Sequence, residues 1–114
     1  MNLDAFLAQL KQNPKQVEFN TTMSVIEANY NFTPSAFVNG NTENKANTNN
    51  GSCKIFAFGL LNKLSEQQTL ACFGRYYRND VLGNPEGEDH QNIRNFMVSG
   101  WKGIKFDGAA LSKN

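Results

Sequence analysis

The sequence is poor in the residues that cross-link a chain, hold a metal or anchor a protein in a membrane. It contains two cysteines, one histidine and three prolines among 114 residues. No apolar run approaches the ~18 residues that a membrane-spanning helix needs, and the first residues lack the basic start and apolar stretch of a secretory signal. We therefore expect no membrane partner and a soluble protein that is made in the cytosol.

The charge is almost balanced, because eleven Lys and Arg residues and ten Asp and Glu residues give a formal net charge of +1. A dedicated nucleic-acid-binding protein usually has a strongly basic face. We therefore expect no nucleic acid partner and interpret the basic and aromatic stretch Arg75–Arg78 as ordinary helix surface. One histidine and two cysteines match no zinc-binding spacing, and no Gly-rich phosphate-binding motif is present. The sequence predicts neither a metal nor a cofactor.

Phenylalanine, by contrast, is abundant, with nine residues that supply much of the apolar volume of a core. A chain of this length buries about two-thirds of its unfolded surface, so we expect one domain over residues 1–114. Its central element is predicted to be the helix Ser52–Leu64, which is apolar on two sides, although a pair of buried strands is the alternative for so short an apolar run. Cys53 and Cys72 lie in apolar helical patterns and are expected to be buried free thiols.

Four further helices are predicted from apolar periodicity and end signals. The first carries Leu3 to Leu10 on one face, and the second begins at Pro14, with Asn13 as its cap, and runs to Tyr30. A capping box at Ser65 and Gln68 opens the next helix. Asp89 is predicted to cap the last. The expected inward-facing residues of these last two helices are Leu70, Phe73, Tyr77, Val81, Ile93, Phe96 and Met97.

A small β element is predicted beside the helices. Ala36–Val38 reads as a short strand, Asn39-Gly40 as a two-residue hairpin turn, and Trp101–Phe106 as a strand that pairs with the first. The polar stretch Asn41–Gly51 is interpreted as a solvated loop or as a binding loop, and the residues after Gly108 are expected to fray. The predicted fold is mainly α (α+β): a compact bundle of about five helices with a small β-hairpin or sheet.

Four residues have the chemistry that a catalytic site would use. The only histidine, His90, lies at the start of the last helix, and Arg94 follows one turn later, so this pair could hold an anion or position a proton. Cys53 lies near the start of the central helix, where the helix dipole favours a thiolate, and Glu18 lies at the start of the second helix. Each also has an ordinary explanation, since charged residues suit helix ends and a cysteine in an apolar pattern is usually a buried thiol.

Strings distributed over nearly the whole chain resemble one family, the HopJ type III effector proteins. They are Val17–Phe19, Tyr30–Pro34, Phe37–Gly40, Asn50–Phe58, Gln68–Arg78, His90–Met97 and Gly100–Phe106. The resemblance implies a bacterial protein, with a possible use in virulence after type III secretion into host cells. It implies no known catalytic residue.

Two kinds of function follow as hypotheses. The first is an effector-family protein that acts by binding a host or bacterial protein. The second is a small enzyme or ligand-binding protein with a polar site around His90, Arg94 and the Asn-rich loop. Type III substrates usually begin with a flexible, Ser-rich segment, whereas this chain starts on an apolar-periodic helix, which favours the bacterial cytoplasm. The sequence leaves the oligomeric state open.

Overall fold

A computed structural model describes all residues from 1 to 114. Four α-helices surround the buried central one, and two short antiparallel sheets lie beside them, so the predicted α+β fold is confirmed. None of the helices combines the length and the apolar character needed to cross a membrane. The α-helices are α1 (Leu3–Gln12), α2 (Phe19–Asn29), α3 (Asn50–Leu61), α4 (Glu66–Ala71) and α5 (Gln91–Ser99).

The strands form one sheet of three and one of two. In the first, β2 lies between β3 and β4, with Phe37 opposite both Asn44 and Phe106, so the predicted pairing of the two strand segments is confirmed. In the second, β1 pairs with β5, and Tyr30 lies opposite Lys113. The strands are β1 (Tyr30–Phe32), β2 (Phe37–Asn39), β3 (Thr42–Asn44), β4 (Ile104–Phe106) and β5 (Leu111–Lys113).

Phe56 of α3 lies at the centre of the core. Its ring centroid lies 5.0 Å from that of Phe96, 5.7 Å from that of Phe73 and 6.0 Å from that of Phe37. The single tryptophan, Trp101, packs edge-on against the same ring at 6.4 Å. The predicted buried helix is therefore confirmed, and the aromatic neighbours of Phe56 come from β2, from α5 and from the segments that follow α4 and α5.

The second helix starts later than predicted. Pro14–Gln16 forms one turn of 3-10 helix, Val17 is extended, and α2 begins only after Glu18. The predicted cap is wrong, because the side chain of Asn13 makes no capping hydrogen bond. A three-residue turn ends here because the buried Val17 must leave the helical path to enter the core.

The fourth predicted helix is interrupted. Its capping box is confirmed, with Ser65 Oγ accepting from the Gln68 N–H and Gln68 Oε1 accepting from the Ser65 N–H. The helix stops before Gly74, whose φ of +60° suits glycine and whose missing side chain lets the backbone of Phe19 approach. A π-helical segment, Tyr76–Val81, then follows, with the Leu82 N–H donating to the Tyr77 carbonyl.

Three further predictions are corrected by the sheets and by α5. The hairpin turn is Gly40-Asn41, with Gly40 at a φ of +65°, and Asn39 lies inside β2. The end of the chain does not fray, because β5 pairs with β1 and buries Leu111. Met97 was predicted to face the core and is 44% exposed, because the inward face of α5 is taken by Ile93 and Phe96.

Candidate functional site

A cavity of about 390 Å³ lies where α3 and α5 begin, beside the edge strand β3. This is the place where the polar stretch after β2, the start of the central helix and the region of His90 were expected to meet. We call it the α3–α5 cavity. Its lining residues are Phe19, Thr42, Asn44, Asn49, Gly51, Ser52, Phe73, Tyr76, His90, Gln91, Asn92 and Ile93.

The two helices at the cavity begin in the same unusual way. The residue before α3, Asn49, and the residue before α5, His90, both have left-handed backbones, with φ of +50° and +52°. Neither side chain caps its helix. The prediction that Asp89 caps α5 is therefore wrong, because the residue directly before this helix is His90. The first N–H groups of any helix have no acceptor within the helix and carry partial positive charge, so the cavity wall offers hydrogen-bond donors from two directions.

Aromatic rings form another wall of the cavity. The ring of Phe19 meets that of Tyr76 edge-on at 4.9 Å, and the Tyr76 ring lies 5.2 Å from the imidazole of His90. Phe19 reaches this place because α2 starts against Gly74. The cavity thus combines polar donors with flat apolar surfaces, as many small-molecule sites do.

Four asparagines, three of them buried, support the polar wall. Asn92 Oδ1 accepts from Asn39 Nδ2 at 2.9 Å and from Asn44 Nδ2 at 3.2 Å. Asn92 Nδ2 in turn donates to Asn44 Oδ1 at 3.0 Å, which also accepts from Asn49 Nδ2 at 2.8 Å. We call these four residues the amide network. It ties β2 and β3 to the first turn of α5 and so fixes the shape of the cavity.

His90 is held by a carboxylate. Its Nε2 lies 3.0 Å from Asp80 Oδ2 and 3.8 Å from Asp89 Oδ2. Asp80 and Tyr76 both belong to the π-helical segment, and spacing by four residues places them on one side of it. The imidazole is therefore held at one edge by Asp80 and on one face by Tyr76, while the ring is part of the cavity wall.

Arg94 does not line the cavity. Its guanidinium donates to Asp89 Oδ1 at 2.6 Å and to the carbonyls of Asn84 and Pro85 at 3.0 and 3.2 Å. The hydrogen bond from Arg94 to the Asp89 carboxylate is the main cause that lowers the pKa of Asp89 below its ordinary value. Arg94 thus fastens the loop before α5. It does not join His90 in an anion site.

The other two predicted site residues also lie outside the cavity. Cys53 is 1% exposed, and its thiol lies 3.6 Å from the Ser35 carbonyl. Burial raises the pKa of the Cys53 thiol, and it raises that of Cys72 to about 12. Both cysteines are free and buried, as predicted. Glu18 is exposed before α2 and makes no capping contact.

Several cavity residues carried little signal in the sequence. Asp80 and Tyr76 lie in a segment that was predicted to be a regular helix, and the π-helical turn that brings them to His90 has no simple sequence pattern. Asn44 belongs to the polar stretch Asn41–Gly51, in which four other asparagines would look equivalent. The left-handed tolerance of asparagine is the one signal that pointed to this stretch.

Comparison with known proteins gives a family and a structure. The HopJ type III effector protein family matches residues 3–111. A crystal structure described as that of the unknown function protein VPA0580 superposes with a TM-score of 0.99 at 65% sequence identity, covering 100% of this chain and 95% of the other. No functionally curated protein matches the chain significantly. The match over nearly the whole sequence shows that the chain belongs to the HopJ type III effector protein family.

Proposed function

We propose that this HopJ-family protein binds a small polar molecule in the α3–α5 cavity. The observation that carries the proposal is the convergence of polar groups from three elements on one cavity: Asn44 of β3, Ser52 of α3, and His90 and Asn92 at the start of α5. Polar side chains that meet at a concave site backed by aromatic rings are typical of ligand binding.

The lining suggests the chemistry of the ligand. The first backbone N–H groups of two helices and the amide side chains favour a molecule with oxygen acceptors, such as a carboxylic acid or a sugar. Phe19 and Tyr76 favour a flat or apolar part on the opposite side. The volume of about 390 Å³ suits a metabolite-sized molecule.

His90 is the one residue of the four predicted candidates that could act on such a ligand. It lines the cavity, whereas Arg94, Cys53 and Glu18 do not. A histidine side chain can accept or donate a proton near neutral pH. In this proposal the protein is first a binding protein, and any catalysis depends on His90.

The test is a ligand screen by saturation-transfer NMR with carboxylic acids, sugars and nucleosides. Compounds that bind the wild-type protein are measured again with His90→Gln and Ser52→Ala, which change the cavity wall. Ser112→Ala in β5 is the matched control, because Ser112 is exposed and away from the lining. We expect affinity to fall at least tenfold in the first two variants only, about 1.4 kcal/mol. Equal binding by all three variants, or no binding by any compound, would contradict the proposal.

A second candidate function is binding to a protein partner, as the effector family suggests. The outer surface of α5 and the segment before it expose Leu82, Met97 and Val98, the last 88% exposed. Pro85 and Val81 extend this surface into a shallow groove of about 230 Å³. Contiguous exposed apolar side chains are typical of interaction sites.

Delivery into a host cell is tested separately, with a reporter enzyme that is active only in eukaryotic cytoplasm. The full chain is fused to the reporter and expressed in a bacterium with a working type III system and in its secretion-dead mutant. A signal that depends on secretion would direct the search to host proteins. Its absence would direct the search to bacterial partners. A Val98→Lys variant should then lose the partner if the apolar surface binds it.

A further inference from the structure

We propose that Asp80 is a positioning residue that makes His90 a proton acceptor toward the α3–α5 cavity. A hydroxyl-bearing molecule bound there would lose its proton to His90. This inference rests on the proposed binding function and adds a reaction type to it, namely general-base chemistry. It assigns a role to a residue that carried no site signal in the sequence.

The two carboxylates near His90 are not equivalent. Asp89 Oδ1 is bound by the Arg94 guanidinium at 2.6 Å, and its other oxygen lies 3.8 Å from the imidazole. Asp80 makes no ion pair with Arg or Lys, and its Oδ2 lies 3.0 Å from His90 Nε2. Arg94 balances the negative charge of Asp89. The carboxylate of Asp80, by contrast, has His90 as its partner.

This contact determines which ring nitrogen is available. A carboxylate only accepts hydrogen bonds when ionised, so the neutral imidazole donates from Nε2 and keeps the lone pair on Nδ1. Tyr76 packs on the ring at 5.2 Å and restricts its rotation. The left-handed backbone of His90, with φ of +52°, is an uncommon conformation for a residue with a side chain and is often retained where function requires it.

The proton transfer is simple to write. The O–H bond of the bound molecule breaks, an N–H bond forms at His90 Nδ1, and the bound molecule keeps the electron pair as an alkoxide-like oxygen. The resulting imidazolium charge lies beside the Asp80 carboxylate, which stabilises it. Residues at the starts of α3 and α5 line the same cavity, and the partial positive charge of a helix start favours the negative charge that develops on the oxygen.

The local fold supports a role beyond packing for this contact. Asp80 belongs to the π-helical segment, and such segments occur mostly as short interruptions at functional sites. Its side chain is 45% exposed, so the contact with His90 adds little to the core. A surface contact of this kind contributes little to stability, which allows its chemical role to be measured separately from folding.

The experiment uses acylation of the single histidine by diethyl pyrocarbonate, which needs no identified ligand. An N–C bond forms at one ring nitrogen, a C–O bond of the reagent breaks, and ethyl carbonate leaves. Long-range proton–nitrogen NMR then identifies the modified nitrogen, without ambiguity because the chain contains one histidine. In the wild-type protein we expect the group on Nδ1, since Asp80 occupies Nε2.

Asp80→Ala should move the modification to Nε2, and the matched control Asp89→Ala should leave it on Nδ1. Unfolding curves of both variants verify that each is folded. Modification of the wild-type protein at Nε2, or the same pattern in Asp80→Ala as in wild type, would overturn the proposal. Because no cavity ligand is used, a failure of this test is distinguishable from a failure of the ligand screen.

Discussion

The molecule has two buried regions that are held together by different forces. Around Phe56, aromatic rings from several elements pack with centroids 5.0 to 6.4 Å apart. Beside the α3–α5 cavity, three of the four residues of the amide network are also buried, but their contacts are hydrogen bonds between side chains. Asn39 is 0% exposed and its Oδ1 has no partner. Burial alone therefore does not distinguish core from site.

The difference teaches what each region tolerates. Apolar packing is non-directional, so a core residue is replaced most easily by one of similar volume. A hydrogen-bonded network depends on atom positions, and a buried polar atom that loses its partner is costly. A network of this kind at the wall of a cavity fixes its shape, whereas the aromatic core fixes the stability of the whole fold.

The largest expected effect comes from emptying the aromatic core. Phe56→Ala removes a ring that is 0% exposed and contacts aromatic rings from several elements. We expect a loss of about 3–5 kcal/mol in the free energy of unfolding, the usual range for a buried Phe-to-Ala change. Urea unfolding measures it. A loss below that of an exposed-site control such as Leu61→Ala would mean that Phe56 is not central to the core.

A smaller loss is expected when the amide network is broken. Asn92→Ala removes the side-chain oxygen that accepts from Asn39 and Asn44. Asn39 Nδ2 keeps its hydrogen bond to the Asn92 backbone carbonyl, so the network is only partly unpaired, at a total cost of about 1–3 kcal/mol. We expect the unfolding free energy to fall within this range and ligand binding to fall with it. If stability falls as far as in Phe56→Ala, the contrast between the two regions disappears. If Asn92→Asp is as stable as wild type, hydrogen-bond direction does not matter there.

The ion pair of Asp89 with Arg94 should contribute little, and only above acidic pH. Arg94 lowers the pKa of Asp89 below its ordinary value of 3.8, so the folded state gains stability above that value and loses it as the pH falls through the lowered pKa. Asp89→Asn should therefore be slightly less stable than wild type at pH 7, and the difference should vanish in acid. A difference that persists or grows at low pH would contradict this assignment.

The smallest effect is expected in the thiol chemistry of the native core. Cys53 and Cys72 are 1% and 0% exposed, and burial raises the pKa of each thiol. A neutral-pH thiol reagent should label neither residue until the chain unfolds, because the thiolate is the reactive form. Mass spectrometry at increasing urea measures this. Rapid labelling of Cys53 in the native protein would instead return it to the list of catalytic candidates.

The sequence was informative about the aromatic core and less so about the cavity. Apolar periodicity correctly predicted that Phe73 and Phe96 face inward, and residue spacing correctly predicted the capping box at Ser65 and Gln68. Both signals depend only on residues that are close together in the sequence. The amide network joins residues 48 and 53 positions apart in the chain. Polar residues in a loop carry no periodicity that predicts such a pairing.

The errors have local physical causes as well. Met97 matched the apolar pattern of α5, but a nine-residue helix has room for few inward positions. The cap at Asp89 was a reasonable expectation for an acidic residue before a helix, yet Arg94 holds its carboxylate away from the helix start. The position of His90 was predicted correctly, and its partner Asp80 was not, because the segment that carries Asp80 is not a regular helix.

That irregular segment has a consequence for how members of the family can differ. A π-helical turn contains one residue more per hydrogen-bonded ring than an α-helical turn, as the bond from the Leu82 N–H to the Tyr77 carbonyl shows. Deleting Asn79 alone would let the segment close as an ordinary α-helix and rotate Asp80 relative to Tyr76. Tyr76 and Asp80 would then be three residues apart and still on one side of the helix, so a single deleted codon would change the distance between the carboxylate and His90 rather than move the carboxylate to another face.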